Sequence, residues 1–222
     1  VTRALVEDPN FISYRNTFSQ QGLMNLDFLQ GYVHDTYPFD EEAADRNSEG
    51  KKVCIVATDY HSGKPHYLTP SKGKWLNYMM ASATLPFITK GRTKVDGKWM
   101  FDGGYSDAIP VQKAIQDGAK NILVIRTRPF GEKIDKSYVS LMAEYWNYDN
   151  DKISDLFSRG YRVYNDCVDF LNGPKPKGIH WTQIAPPNAL RSDGYYLHVQ
   201  DIDADYRLGL EVGLNFLSEM KK

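Results

Sequence analysis

Two short apolar runs predict strands that are buried on both faces of a sheet, Val53–Ala57 and Asn121–Ile125. Both are rich in branched side chains and are bounded by charged or turn-forming residues. The stretch Pro110–Gly118 predicts a helix, because Pro stands at its start, Gly at its end and its apolar residues share one face. This helix leads directly into the second strand. The order is typical of the return leg of a βαβ unit and therefore predicts a parallel sheet.

Further elements follow from the same patterns. We predict helices over about 151–171 and 205–219, a strand over 179–184, and hairpin-like turns within 58–65 and 95–101. The second of these turns contains Asp96-Gly97, a strong local hairpin signal. The polar stretch Glu41–Lys52 is interpreted as a surface loop. Because no repeat or linker interrupts the chain, residues 1–222 are predicted to form a single α/β domain.

The composition narrows the classes of function. The 222 residues carry a formal net charge of −1, which gives no electrostatic drive toward nucleic acid. The longest apolar run has far fewer than the ~20 residues of a membrane span, and no signal segment is visible, so we predict a cytoplasmic protein. The two cysteines, Cys54 and Cys167, are predicted to be buried free thiols. Cys/His clusters of the kind that bind zinc are lacking, and we expect neither a metal nor a cofactor.

The most informative stretch is Trp99–Pro110, which contains Asp102-Gly103-Gly104. It places a carboxylate at the end of a strand, where ligands bind in open α/β sheets. The two glycines allow a close approach of the backbone and a positive φ. Asp102 is therefore a candidate general base, and the alternative is that it caps a tight turn.

The surroundings of this motif resemble the patatin-like phospholipase family, in particular its bacterial branch of predicted esterases. The resemblance covers nearly the whole chain. It lies in Ala81-Ser82-Ala83 with Pro86-Phe87, the Asp-Gly hairpin, Asp102-Gly103-Gly104, Pro110-Val111, Gly118-Ala119, 10–28, Val53–Asp59 with Gly63-Lys64, Ile184-Ala185-Pro186, and Tyr206 with Gly209.

This resemblance implies a three-layer α/β sandwich with a mostly parallel central sheet. It also implies a serine acyl hydrolase that uses a Ser–Asp dyad on phospholipids or other acyl esters. Asp102 matches the aspartate that serves as the base, and Gly103 and Gly104 match the two loop-forming glycines of the motif. The small residues of 81–86 would then lie near the acyl site. Peripheral contact with a membrane is compatible with this substrate class.

The chain departs from the family at the nucleophile. None of its serines has glycine at both −2 and +2, so no G-x-S-x-G is present, and a glycine-rich oxyanion loop is also missing. In the family both elements precede the part that resembles this chain. We therefore expect an N-terminally truncated domain that is inactive by itself. Loss of a central strand would expose apolar surface, which predicts self-association or association with the missing segment.

Other side chains leave alternatives open. The five histidines (His34, His61, His66, His180, His198) would be needed for a Ser–His–Asp hydrolase, but their positions favour surface or turn roles. Asp59 is interpreted as a turn residue. Arg126 and Arg128 could meet an anionic headgroup, although local ion pairs are favoured. The aromatic cluster 144–148 fits a lipid interface or packing on the sheet. A non-catalytic α/β binding or scaffold module is the alternative function.

Overall fold

The computed structural model describes residues 6–16, 19, 21–86, 88–137, 141, 151–192 and 198–220. The helices of eight or more residues are α1 (Leu26–Thr36), α2 (Glu41–Ser48), α3 (Trp75–Ser82), α5 (Asp151–Asn172) and α6 (Val199–Glu219), and α4 (Val111–Gln116) is shorter. The strands are β1 (Ile55–Asp59), β2 (Pro65–Leu68), β3 (Thr93–Val95), β4 (Lys98–Asp102), β5 (Asn121–Ile125) and β6 (His180–Ile184). The chain is therefore a mixed α/β protein, as the sequence predicted.

The chain divides into two compact units. One comprises Val1–Ile109 with Ile134–Tyr164, and the other comprises Pro110–Lys133 with Asn165–Lys222. Each unit contains one sheet. The organisation as a single domain stays a prediction.

The sheet of the first unit is antiparallel throughout, with the strand order β2-β1-β4-β3. The prediction of a mostly parallel central sheet is therefore wrong. The connections explain the difference, because parallel neighbours need a crossover of a dozen or more residues. Only residues 60–64 join β1 to β2, and Asp96-Gly97 joins β3 to β4. Both of these turn residues have positive φ, 47° and 82°, as a two-residue hairpin turn requires.

Both faces of this antiparallel sheet are covered. Ala57 and Thr58 are adjacent on β1, project to opposite faces and are both fully buried. The face of Ala57 packs with side chains of α3, in a cluster formed by Ala57, Leu68, Tyr78, Ala81, Val95 and Met100. The opposite face packs on the first part of α5, in a cluster of Phe101, Ile153, Leu156 and Phe157 that Tyr60 and Tyr105 flank.

The second unit contains the parallel pair β5 and β6, in register from Asn121↔His180 to Ile125↔Ile184. The helix α4 precedes β5, as predicted. One face of the pair is covered, and Trp181 is buried with its Nε1 donating to the Leu171 carbonyl at 3.1 Å. On the other face of β5, the side chains of Leu123 and Ile125 are 51% and 74% exposed. The prediction that this strand is buried on both faces is therefore wrong.

Three helices were not predicted, and one of them replaces part of the predicted surface loop. Residues Glu41–Ser48 form α2, which Asp40 caps by accepting a hydrogen bond from Ala43 N at 2.7 Å. Two acidic residues in its first turn also favour the helix, because they interact well with the N-terminal end of its dipole. No residue of α2 is buried, so the hydrophobic periodicity that reveals a helix is absent from its sequence.

Cys54 and Cys167 form no disulfide with each other, as predicted, but Cys54 is exposed rather than buried and Cys167 is half-buried. In the part of the chain that the structure describes, no helix combines the length and the apolar character needed to cross a membrane. The aromatic cluster 144–148 lies outside the described residues.

Candidate functional site

Asp102 ends β4 at the point where the sheet gives way to a loop. It lies opposite Ala57 in the ladder with β1, and its N–H donates to the Thr84 carbonyl at 2.9 Å. The chain then turns into a short 3-10 helix, Gly103–Tyr105, with Asp102 as its cap. The carboxylate Oδ1 accepts a hydrogen bond from Gly104 N at 2.7 Å. The carboxyl group is thus held by its own turn, and the Ala81–Pro86 run contacts the backbone N–H of Asp102 through the Thr84 carbonyl.

The two glycines of the motif have steric roles. A Cβ at Gly103 would overlap the carbonyl oxygen of Val56 and stand 2.6 Å from the carbonyl carbon. A Cβ at Gly104 would stand 2.9 Å from Oδ1 of Asp102. The expected close approach of the backbone is confirmed. The expected positive φ is wrong, because neither glycine is among those with φ above zero.

The environment of Asp102 favours its neutral form. Burial raises the pKa of this carboxyl from the ordinary 3.8 to about 6, and the hydrogen bond from Gly104 N only partly opposes the rise. Strand alternation places Trp99 and Phe101 on the other face of β4, so neither ring accounts for this burial. Ala57 lies opposite Asp102 in the ladder and shares its face of the sheet.

Hydrogen bonds from side-chain hydroxyl groups hold the loop that follows Asp102. Thr58 Oγ1 donates to the Asp102 carbonyl oxygen at 2.7 Å and lies 2.8 Å from Ser106 Oγ. Tyr67 on β2 donates its phenolic hydrogen to Asp107 Oδ2 at 2.6 Å. Strands β1 and β2 therefore both hold the segment 102–107.

Aromatic packing fixes the same loop from the side of α5. The Tyr105 ring contacts Phe101 and Phe157, with ring centroids 5.6 and 5.0 Å apart. Gly160 lies beneath this ring, since a Cβ at that position would stand 2.9 Å from Tyr105 Cδ1. The sequence analysis did not identify Thr58, Tyr67 or Gly160, and a glycine inside a predicted helix is the one signal that could have pointed to Gly160.

The other strand-end carboxylate, Asp59, has the structural role that the sequence favoured. Its Oδ1 accepts hydrogen bonds from His61 N, Ser62 N and Ser62 Oγ at 3.1, 2.8 and 2.8 Å. Partial burial works to raise the pKa of Asp59, but these hydrogen bonds outweigh it and hold the pKa below 3.8. Asp59 and Asp102 are thus matched carboxylates with opposite pKa shifts.

The histidines do not join Asp102. His66 faces Ala57 from β2, while Asp102 faces the same alanine from β4. Two strand spacings, about 10 Å, separate their backbones, and the hydrogen bond of the Asp102 carboxylate comes from Gly104 N rather than from His66. The positions of His34, His61, His180 and His198 are exposed. A Ser–His–Asp arrangement therefore has no direct support from this geometry.

The two arginines after β5 differ from each other. Arg128 pairs with Glu132 at 2.9 Å, which is the local ion pair that the sequence favoured. Arg126 is buried and donates to Gln183 Oε1 at 3.2 Å. Within the described residues, no group of three His, Cys, Asp or Glu side chains is placed to bind a metal ion.

Comparison with known proteins gives two findings. Residues 150–222 match a family described as a domain of unknown function (DUF6363). Over 203 residues, the chain is 30% identical to the uncharacterized protein YjjU of Escherichia coli (strain K12). That match covers 90% of this chain and 56% of the relative. The chain thus spans little more than half the length of this curated relative.

These findings correct the assignment to the patatin-like phospholipase family. The family model that matches is a domain of unknown function, and the relative is uncharacterized, so the patatin-like assignment is wrong. A physical reason for the error lies in the motif itself. In Asp102-Gly103-Gly104 the aspartate caps a short turn, and Gly103 allows that turn to pack closely against β1. Turns with these requirements occur in unrelated proteins, so the motif does not identify a family.

Proposed function

We propose that Asp102 is the general base of a hydrolase acting on acyl esters, of which phospholipids are one class. The single observation that supports this proposal most is the carboxyl group at the end of β4, whose pKa burial raises to about 6. A base with a pKa near the operating pH combines a large ionised fraction with useful proton affinity. At pH 7 about nine in ten of these carboxyl groups are ionised.

The reaction follows from this base and a serine supplied by polypeptide outside the chain. Asp102 accepts the hydroxyl proton while the serine oxygen attacks the ester carbonyl. The leaving alcohol takes that proton as the C–O bond breaks, and an acyl-enzyme remains. Water then attacks the acyl-enzyme while Asp102 takes a proton from the water and returns it to the departing serine oxygen.

The proposal concerns the longer protein and not this chain alone. The serine and the backbone N–H groups that stabilise the oxyanion are proposed to lie in further polypeptide of the same gene product. The chain by itself is proposed to be inactive, because a base without a nucleophile has nothing to activate. The longer relative is consistent with additional polypeptide, since the match leaves more than two fifths of it uncovered.

Two measurements on the natural gene product test the proposal. A fluorophosphonate probe reports an activated serine, and p-nitrophenyl butyrate reports turnover. We expect labelling and turnover in the wild type, and at least ~100-fold slower turnover in Asp102→Asn, since a general base typically contributes 10²–10⁴-fold. Asp59→Asn is the matched control, because Asp59 binds its own turn, and it is expected to keep turnover.

Either of two results would overturn the proposal. If the Asp102→Asn protein hydrolyses the ester at the wild-type rate, Asp102 is not the general base. A natural gene product that neither binds the probe nor hydrolyses esters favours the non-catalytic binding module instead.

A further inference from the structure

Thr58 makes a contact with Asp102 that the pairing of the strands does not require. In the β1–β4 ladder Thr58 lies opposite Phe101, one residue before Asp102. Its side chain is fully buried, yet its hydroxyl reaches past Phe101 to the Asp102 carbonyl oxygen at 2.7 Å. The contact therefore secures the peptide that leaves the sheet, at the point where the ladder itself stops.

The direction of the hydrogen bonds around Thr58 follows from counting hydrogens. The hydroxyl has one hydrogen, and a carbonyl oxygen can only accept, so Thr58 donates to Asp102. Ser106 Oγ, 2.8 Å from Thr58 Oγ1, must then be the donor of that pair. The alternative acceptor for Ser106, the Gly103 carbonyl, lies 3.4 Å away, which is long for a hydroxyl donor. The chain of hydrogen bonds runs from Ser106 through Thr58 to Asp102.

This chain fixes the orientation of the peptide between Asp102 and Gly103. The hydrogen bond at its oxygen resists rotation of this planar peptide, and the close approach of Gly103 to the Val56 carbonyl opposes the same movement. The next peptide then presents Gly104 N to the Asp102 carboxylate at 2.7 Å. Without the hydroxyl, the Asp102 carbonyl oxygen would lose its buried hydrogen-bond donor. Turning that carbonyl toward water would then lower the free energy of the loop, because water would supply the missing hydrogen bond.

We propose that Thr58 is a positioning residue for Asp102, whose hydroxyl holds the following peptide so that the carboxyl stays in its partly buried place. The effect of Thr58 on catalysis rests on the proposed function, but its effect on the position of the Asp102 carboxyl group does not. Thr58 touches neither a substrate nor a reacting atom in this scheme. It acts through the backbone of Asp102.

The titration of the Asp102 carboxyl tests this inference without any substrate. Carbon-13 NMR of the chain follows each carboxyl resonance with pH, and the resonance missing from Asp102→Asn identifies Asp102. Wild type should titrate near pH 6. Thr58→Val keeps the shape and removes the hydroxyl, and it should move the midpoint at least one pH unit toward the ordinary 3.8. Thr58→Ser keeps the hydroxyl and should titrate like wild type.

Two further variants separate positioning from general destabilisation. Val95→Ala creates a cavity at a fully buried residue that pairs with Lys98, at the opposite end of β4 from Asp102, and it should leave the Asp102 midpoint unchanged. If Thr58→Val does not fold, Ser106→Ala removes the donor to Thr58 at a partly exposed position, and a shift in the same direction is expected. The other titratable groups around the loop are unchanged in all of these variants: Asp59, His66, Tyr67, Tyr105 and Asp107.

The outcomes distinguish this inference from the hydrolase proposal. A folded Thr58→Val protein with the wild-type midpoint overturns the positioning role, whatever the enzyme activity. A shift in Thr58→Val but not in Thr58→Ser or Val95→Ala supports it, even if the natural gene product hydrolyses no ester. Where ester hydrolysis is present, the acid limb of its pH profile should move with the NMR midpoint.

Discussion

Gly103 presses against Val56 so closely that a Cβ on Gly103 would overlap the Val56 carbonyl group. The overlap is with backbone of the central strand β1, which side-chain motion cannot relieve. This contact joins the first residue after Asp102 to β1, one of the two inner strands of the sheet. The position of the carboxyl group is therefore set by backbone packing as well as by hydrogen bonds.

Gly103→Ala should destabilise the protein by about 1–3 kcal/mol, since the added methyl forces backbone to move in a packed region. Urea unfolding measures the change in the free energy of unfolding. Gly209→Ala is the control, because Gly209 lies in α6 with nothing within 4 Å of the added Cβ. Alanine should stabilise that helix by up to ~1 kcal/mol. Equal unfolding free energies for Gly103→Ala and wild type would contradict the steric role.

The sequence predicted the strands well where they coincide with apolar runs. The strand Asn121–Ile125 has the bounds of β5, while the run Val53–Ala57 is displaced from β1 by two residues. The displacement arises because pairing with β4 extends β1 through Thr58 and Asp59, which are polar. Strand direction was predicted wrongly for the four-stranded sheet, because an apolar run indicates burial and says nothing of the direction of the neighbouring strand.

The candidate site was predicted in part for a similar reason. Asp102 and the two glycines are visible because their residue types and order are unusual within a short stretch. The residues that hold the loop by hydrogen bonds could not be predicted from the sequence, since Thr58 and Tyr67 bond to partners 44 and 40 residues away along the chain. Contacts of this kind depend on which strands become neighbours, and no local pattern in the sequence encodes that.

Asp102→Asn should stabilise the folded chain at neutral pH. Because the folded pKa of about 6 lies above the unfolded value near 3.8, ionisation opposes folding. This cost is absent below pH ~4, grows between pH ~4 and ~6 and is complete above that range. Removing it should raise the free energy of unfolding by about 1–3 kcal/mol at pH 7 and by much less at pH 4. Urea unfolding at several pH values measures this, and a gain that does not vary with pH would contradict the buried carboxylate.

The outer face of α6 should make the isolated chain self-associate. Its apolar side chains at spacings of four, four and three residues are exposed: Tyr206, Leu210, Leu214 and Leu217. Contiguous apolar surface of this kind drives association in water. Analytical ultracentrifugation should show a sedimentation coefficient that rises with concentration, and Leu210→Gln with Leu214→Gln should reduce the rise. A chain that is monomeric at every concentration would contradict this prediction.

The pH dependence of kcat/KM for ester hydrolysis by the natural gene product tests the role of Asp102 most directly. If this carboxyl is the base, the rate should rise about tenfold per pH unit on the acid side and level off with a midpoint near pH 6. In Asp102→Asn that limb should be lost together with most of the activity. A limb with its midpoint near pH 4, or one that persists unchanged in Asp102→Asn, would contradict the account.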